Sequence, residues 1–207
     1  DEGLGTLLIL WGDVVDRPVC DAEIRKLEQR MDITLAEEQR SAVKAAFESR
    51  VVVITGGPGT GKTTVIRFLG EVAHVREMVV RRAAPTGRAA RRMKEATGFS
   101  AATIHRLLEV DAQKGRFKRD EYHPLDCDLL IVDEVSMVDT SLMAALLRAV
   151  PQHARLVLVG DSDQLPSVGP GNVLGDVLGS GAVPLIRLNH IFRQARESRI
   201  VVNAHRI

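Results

Sequence analysis

The eight residues Gly56-Gly-Pro-Gly-Thr-Gly-Lys-Thr63 follow directly on the apolar run Val51-Val-Val-Ile54. A buried strand, a glycine-rich turn and the start of a helix in that order form a phosphate-binding loop. Gly56, Gly57, Gly59 and Gly61 let the backbone turn without Cβ clashes and approach a phosphate closely. The amides of the loop and of the helix start then point at an anion. Lys62 is placed to reach the β- and γ-phosphates, and the Thr63 hydroxyl to ligate Mg²⁺. The nucleotide-binding set read from this stretch is Gly57, Pro58, Gly59, Thr60, Gly61, Lys62, Thr63 and Thr64.

A Mg²⁺ held by one hydroxyl also needs a carboxylate. Leu129-Leu-Ile-Val132 reads as a second buried strand, and Asp133-Glu134 follows at its end. Asp133 is assigned to the metal. Glu134 is assigned to orienting and deprotonating the attacking water, which favours hydrolysis over transfer to a second substrate. Gln164, in Gly160-Asp-Ser-Asp-Gln164 after another apolar strand, carries both a donor and an acceptor and can sense the γ-phosphate or the water. Gln39 lies on a helix shortly before the loop, and a carboxamide can pair with the N6/N7 edge of adenine.

The formal net charge of the 207 residues is only +1, but its distribution is uneven. Residues 76–119 hold 12 Lys/Arg against 4 Asp/Glu, a net of +8, so the remainder carries −7. Such a stretch is either a solvated basic face or a track for a polyanion. Within it, Arg88, Arg91 and Arg92 are spaced by 3 and 4 and share one helix face. Thr86 and the amides at that helix start are further phosphate candidates. Thr103 and His105 lie on the next short helix, and a single His is more often structural than a ligand.

Strands and helices alternate along the chain. Expected helices are Asp21–Met31, a helix to Glu48 begun by a Thr34-Leu-Ala-Glu37 capping box, Gly61–Ala73, Gly87–Thr97, Thr103–Glu109, Thr140–Ala149 and Asn172–Leu178. Expected strands are Leu7–Trp11, Val51–Thr55, Met78–Ala83, Leu129–Val132, Arg155–Val159 and Val183–Leu188, with a loop or hairpin over Asp111–Leu125. The fold class is therefore α/β, a mostly parallel sheet with helices on both faces and sites at the carboxyl ends of the strands. The break near Asp32 is read as a boundary between an N-terminal appendage, 1–32, and a main domain, 33–207. No apolar run approaches the roughly 20 residues of a membrane helix. Two cysteines, Cys20 and Cys127, without metal-like spacing fit free thiols in a reducing cytoplasm.

Taken together, these blocks resemble those of superfamily 1 helicases, and their wording is most similar to the RecD-like branch. The blocks are Leu35–Gln39, Gly56–Thr64, Ala84-Pro-Thr-Gly-Arg-Ala-Ala90, Thr103-Ile-His-Arg-Leu-Leu108, Val132–Met137, Gly160–Gly169, continuing through Gly171-Asn-Val-Leu174, and Phe192-Arg-Gln194. The resemblance covers residue 33 to the end of the chain and implies a RecA-like P-loop NTPase using ATP and Mg²⁺. It implies that Gln39 reads adenine, that Asp133 and Glu134 are the metal and catalytic acids, and that Gln164 senses the γ-phosphate. It also implies that Arg193 approaches the γ-phosphate from the end of this motor domain. Pro85, Thr86 and Arg88, with Thr103 and His105, are implied as part of a single-stranded DNA track along which the motor moves 5′ to 3′. Further implied partners are a second RecA-like domain and nuclease or helicase subunits, in recombination or repair.

The resemblance implies a second motor domain beyond the residues given, so half of a composite ATP cleft is expected here, in a fragment that binds nucleotide and hydrolyses it poorly. A P-loop phosphotransferase and a nucleotide-gated binding module remain as alternatives.

Overall fold

The computed structural model describes residues 18–111, 115–164, 167 and 169–190. The strand expected over 7–11 and Arg193 lie outside them. The elements in chain order begin with α1 (Asp21–Met31), α2 (Glu37–Glu48), β1 (Val51–Gly56), α3 (Lys62–Val75), β2 (Val80–Ala84) and α4 (Gly87–Thr97). They continue with β3 (Ala102–Thr103), α5 (Ile104–Leu108), β4 (Val110–Asp111), β5 (Arg116–Phe117), β6 (Leu129–Val132) and a 3-10 turn, Val135–Met137. The last are α6 (Thr140–Ala149), β7 (Arg155–Gly160), α7 (Val173–Ser180) and β8 (Leu185–Leu188).

Six strands form one parallel sheet in the order β3-β2-β6-β7-β1-β8, and β4 and β5 form a separate antiparallel hairpin. The sheet follows from strands that are apolar on both faces, since successive side chains point to opposite sides. Val51 and Val53, Leu130 and Val132, and Leu156 and Leu158 pack with Ile104, Leu142 and Leu146. Their neighbours Val52 and Ile54, Leu129 and Ile131, and Val157 and Val159 pack on the opposite face with Phe47, Phe68 and Leu69. One sheet thus divides two hydrophobic layers.

The α1 helix ends at Asp32 in a left-handed conformation, φ 53°. Its Ile24 and Leu27 join the layer of α2 and α3. Glu28, almost buried, accepts from the Leu35 amide at 2.7 Å and from Arg40 Nη2 at 2.9 Å, which fastens α1 to the start of α2. The expected Thr34 capping box does not form. Ala36 is the cap residue of α2, and its amide donates to Gln39 Oε1 at 3.0 Å. An alanine offers no oxygen to the first turn, so Gln39 supplies the reciprocal half of a box shifted two residues along the chain. Glu37 and Glu38 in the first turn complement the helix dipole.

The start of β2 differs from expectation by two residues, and the Asp111–Leu125 region does contain a hairpin. Cys20 is exposed and Cys127 buried, both unpaired, with burial pushing the Cys127 thiol up to about 11.

Arg82 is an outlier in the core. It points from β2 into the layer of α3 and α4, 7% exposed, with its guanidinium 4.1 Å above the Phe99 ring and Nε without a hydrogen-bond partner. Gly70 of α3 makes the room: a Cβ there would stand 2.5 Å from Phe99 and 2.6 Å from Arg82 Nη2. Burial pushes Arg82 down to about 10, partly offset by Glu71. The charge is therefore kept at neutral pH, and its desolvation cost is relieved only as pH rises through about 10. Replacing it by Met keeps length and ring contact while removing that cost. We expect Arg82→Met to raise thermal stability by about 1 kcal/mol. A drop of similar size in a melting experiment would show that the ring contact outweighs desolvation.

Candidate nucleotide and DNA site

The phosphate loop leaves β1, which lies between β7 and the edge strand β8, and enters α3. Gly59 and Gly61 adopt φ of 80° and 83°, the left-handed region, so side chains at these two positions would strain the loop. The loop is braced from within and from behind. Thr60 Oγ1 donates to the Gly57 carbonyl at 2.9 Å, and Gly61 caps α3 by accepting from the Val65 amide at 3.1 Å. Gln39, only 1% exposed, donates Nε2 to the Thr60 and Gly61 carbonyls at 3.4 and 3.3 Å. Its position behind the loop suits an adenine-edge role, but its carboxamide here ties α2 to the loop. Lys62 Nζ lies back over the loop's own carbonyls, donating to Gly56 O and, at 3.1 Å, to Gly57 O. The ammonium thus rests on the oxygens lining the turn.

Asp133 and Glu134 follow β6, one strand further across the sheet beyond β7. A cleft of about 510 Å³ brings Lys62, Thr63, Asp133 and Glu134 together, with Arg92, Met93 and Glu95 of α4 on its other wall. The two halves of the motif that the sequence separates by some seventy positions therefore share one cavity. Asp133 accepts from the Glu134 amide at 2.9 Å, and its own amide donates to Ala83 O at 2.9 Å. Among the described residues no cation stands within ion-pair distance of it. Burial pushes its carboxyl up to about 6, Glu134 adds to the rise, and Lys62 and Arg92 only partly offset it. A desolvated carboxylate beside a hydroxyl is the donor set expected for a divalent ion that also binds phosphate oxygens. No group of three or more His, Cys, Asp or Glu that could hold a metal by itself occurs among the described residues. Thr63 and Asp133 are therefore the residues that could hold a divalent ion arriving with a nucleotide.

Glu134 adopts φ 57°, a left-handed conformation uncommon for a residue with a side chain. It opens the 3-10 turn that follows, and its Oε1 lies 3.1 Å from Arg92 Nη2. Gln164, in the loop after β7, accepts from Ser136 Oγ at 3.2 Å. Buried Asp161 shapes that loop by accepting from the Asp163 amide at 3.0 Å. Gln164 is thereby wired to the turn carrying Glu134.

The residues assigned to DNA lie at the other end of the same sheet edge. Ala84 pairs in register with Thr103, so Pro85–Arg88 and Thr103–His105 emerge side by side from β2 and β3. Thr86 Oγ1 caps α4, accepting from the Ala89 amide at 3.2 Å, and Thr103 Oγ1 caps α5, accepting from the Arg106 amide at 3.1 Å. Arg88 is exposed, with no carboxylate in ion-pair distance among the described residues. His105 is exposed and leans on Phe117, ring centroids 5.8 Å apart.

Three contacts carry no sequence pattern: Arg92 with Glu134, Ser136 with Gln164, and Glu38, whose Oε2 accepts from the Asn189 and His190 amides at 2.7 and 3.1 Å. Arg92 was visible in the sequence only as part of a basic face. The last contact fixes the exit of β8, where the stretch leading to Arg193 begins.

Two consequences of the Asp133 environment can be measured. Its carboxyl is raised above the unfolded value of 3.8, so folding favours the protonated form and stability is lost as pH rises between about 4 and 6. Asp133→Asn removes this cost, and we expect it to stabilise the nucleotide-free chain at pH 8 by roughly 2 kcal/mol. The same change should abolish Mg²⁺-dependent nucleotide binding, which in the wild type should strengthen up to pH 7 and level off above. A variant no more stable than wild type, with metal dependence intact, would contradict the assignment.

The family model described as "AAA domain" matches residues 39–170. The ATP-dependent RecD2 DNA helicase of Deinococcus radiodurans is 46% identical over 171 residues, 83% of this chain and 23% of that protein. The RecBCD enzyme subunit RecD of Mycolicibacterium smegmatis is 41% identical over 186 residues, 77% of this chain and 34% of that subunit. Among solved structures, the Pif1 helicase of Candida albicans superposes with a TM-score of 0.62 at 26% identity, covering 82% of this chain and 43% of that one. The chain spans about a quarter to a third of the two curated relatives. The sheet order, the phosphate loop and these matches agree: the chain belongs to the AAA domain family, and its sequence is similar to RecD and RecD2 helicases.

Proposed function

We propose that this chain is the first motor domain of a helicase that couples ATP hydrolysis to 5′-to-3′ movement along single-stranded DNA, in recombination or repair. The observation that carries the reading is the convergence of Lys62, Thr63, Asp133 and Glu134 on one cleft. Lys62 exchanges the Gly56 and Gly57 carbonyls for phosphate oxygens, a replacement of weak dipoles by full charge. Thr63 and Asp133 would hold Mg²⁺, which would supply charge neutralisation for the nucleotide phosphates. Glu134 orients the attacking water and takes its proton. Gln164, held by Ser136, registers loss of the γ-phosphate and passes it to the loop after β7.

Strand contacts fall to Pro85, Thr86, Arg88, Thr103 and His105, with Arg88 meeting phosphate. Nuclease or helicase subunits are further partners; Arg193 approaches the γ-phosphate from the end of this domain, and a second RecA-like domain completes the cleft from outside with a second arginine. An arginine supplied in this way contributes a rate factor of about 10³–10⁵ in related phosphoryl transfers. The 207-residue chain is therefore expected to bind Mg²⁺-ATP and to turn it over slowly without unwinding DNA.

Glu134→Gln in the whole polypeptide tests the hydrolytic assignment. ATP binding by calorimetry should persist while kcat falls about 10²-fold or more. An unchanged kcat would favour a binding module. Arg88→Ala tests the track. It should weaken single-strand binding on every sequence and reduce the salt slope by about 1. Unaltered affinity and slope would displace the track from α4.

A further inference from the structure

We propose that Arg92 is a positioning residue through which a DNA strand acts on the catalytic carboxylate. Without a strand it holds Glu134 in an ion pair, and a strand phosphate takes the guanidinium and releases the acid. This rests on the motor-domain reading above.

The geometry supplies each part. Glu134 is fixed by its left-handed backbone at the end of β6, and Arg92 Nη2 meets its Oε1 at 3.1 Å. The exposures of the two partners differ: the Glu134 side chain is 20% exposed and that of Arg92 64%. The acid sits in the cleft wall while the base stays open to solvent. A carboxylate engaged by a guanidinium has fewer lone pairs left to orient or deprotonate water. Lys62 does not compete for Glu134 in this state, because the Gly56 and Gly57 carbonyls engage it. Arg91, the neighbouring cation, is tied to Glu95 on its own helix at 2.8 Å.

On the outer side, Arg92 shares the α4 face with Arg88, and the segment that starts α4 is the one assigned to the strand. A phosphate there offers a guanidinium two acceptor oxygens and full charge. Exposed ion pairs are weak, so the exchange is of a size that one phosphate contact can drive. Binding linkage then makes the coupling reciprocal: if a strand frees Glu134, removing the Glu134 charge must tighten the strand.

The test is a double-mutant cycle on the 207-residue chain without nucleotide, titrated at low salt into fluorescein-labelled oligothymidylate. Glu134→Gln should tighten binding about two- to fivefold, and Arg92→Gln should weaken it by a similar factor. In the Arg92→Gln background, Glu134→Gln should have no further effect. Equal tightening in both backgrounds would reduce the effect to net charge, and wild-type affinity in Arg92→Gln would separate Arg92 from the strand. Either result overturns the proposal while leaving the motor reading in place. A wild-type chain that binds no oligothymidylate at all overturns both.

Turnover in the whole polypeptide gives a second readout. Arg92→Gln should raise DNA-free kcat several-fold with KM for ATP unchanged, lowering the ratio of stimulated to unstimulated rate, and Arg92→Lys should restore part of that ratio. A rise in KM would make Arg92 a nucleotide ligand, and a fall in kcat with and without DNA would place it in the chemical step. Both contradict the proposal. Melting curves for each variant exclude loss of fold as the cause.

Discussion

Asp133 places a carboxylate at the end of a fully buried strand with no cation in ion-pair distance among the described residues, and much of the site's architecture answers that single fact. Its charge is disfavoured by burial and by Glu134, and the nearby positive groups do not neutralise it. Lys62 is committed to the carbonyls of the phosphate loop and Arg92 to Glu134. The cleft in this state has its cations turned to other partners and one acid left uncompensated. A divalent ion arriving with a triphosphate would answer two of these: it would neutralise Asp133, and the phosphates would draw Lys62 off the loop. Affinity for a metal-nucleotide complex would then be built from a local deficit on the sheet edge rather than from a prepared metal cage.

The sheet order explains how this deficit reaches distant residues. Loops after β1, β7, β6, β2 and β3 leave one edge in spatial sequence, so phosphate loop, Gln164, Asp133–Glu134, Pro85–Arg88 and Thr103–His105 form a continuous row. Neighbours in the row are joined by specific contacts. Ser136 joins the Glu134 turn to Gln164, Arg92 joins Glu134 to α4, and the Asp133 amide donates to Ala83 at the end of β2. On the outer flank, the start of α2 holds two loops at once. Gln39 braces the phosphate loop, and Glu38 caps the exit of β8. A change at the nucleotide therefore has short covalent and hydrogen-bonded routes to both ends of the sheet edge.

Much of this was legible in the sequence, for identifiable reasons. The strands could be read because parallel strands buried on both faces are continuous apolar runs, as in Val51–Ile54 and Leu129–Val132. The end of α4 before Gly98 was legible because αL geometry selects glycine. The phosphate loop was legible because only glycine accepts the φ values at positions 59 and 61 without strain. What escaped were pairings set by tertiary approach. The capping box was misplaced at Thr34 because spacing alone cannot say which residue turns into the helix, and Gln39 does the work two positions on. Asp32 reads as a break in sequence, whereas in the fold it caps α1, whose Ile24 and Leu27 reach the core shared with α2 and α3. Arg82 looked like one more basic-face residue and is instead buried on Phe99, because strand alternation turned it inward. Arg92 could not be assigned to Glu134 from spacing, since the two are brought together only by the pairing of β2 with β6.

The account turns on a metal-nucleotide complex bridging the phosphate loop and Asp133. A crystal structure of this chain with magnesium and a non-hydrolysable ATP analogue tests it most directly. The account predicts that the Lys62 ammonium leaves the Gly56 and Gly57 carbonyls for phosphate oxygens and that the metal sits between Thr63 and Asp133. Phosphates bound elsewhere, or an occupied loop with Lys62 still on its own carbonyls and Asp133 remote from the metal, would contradict it.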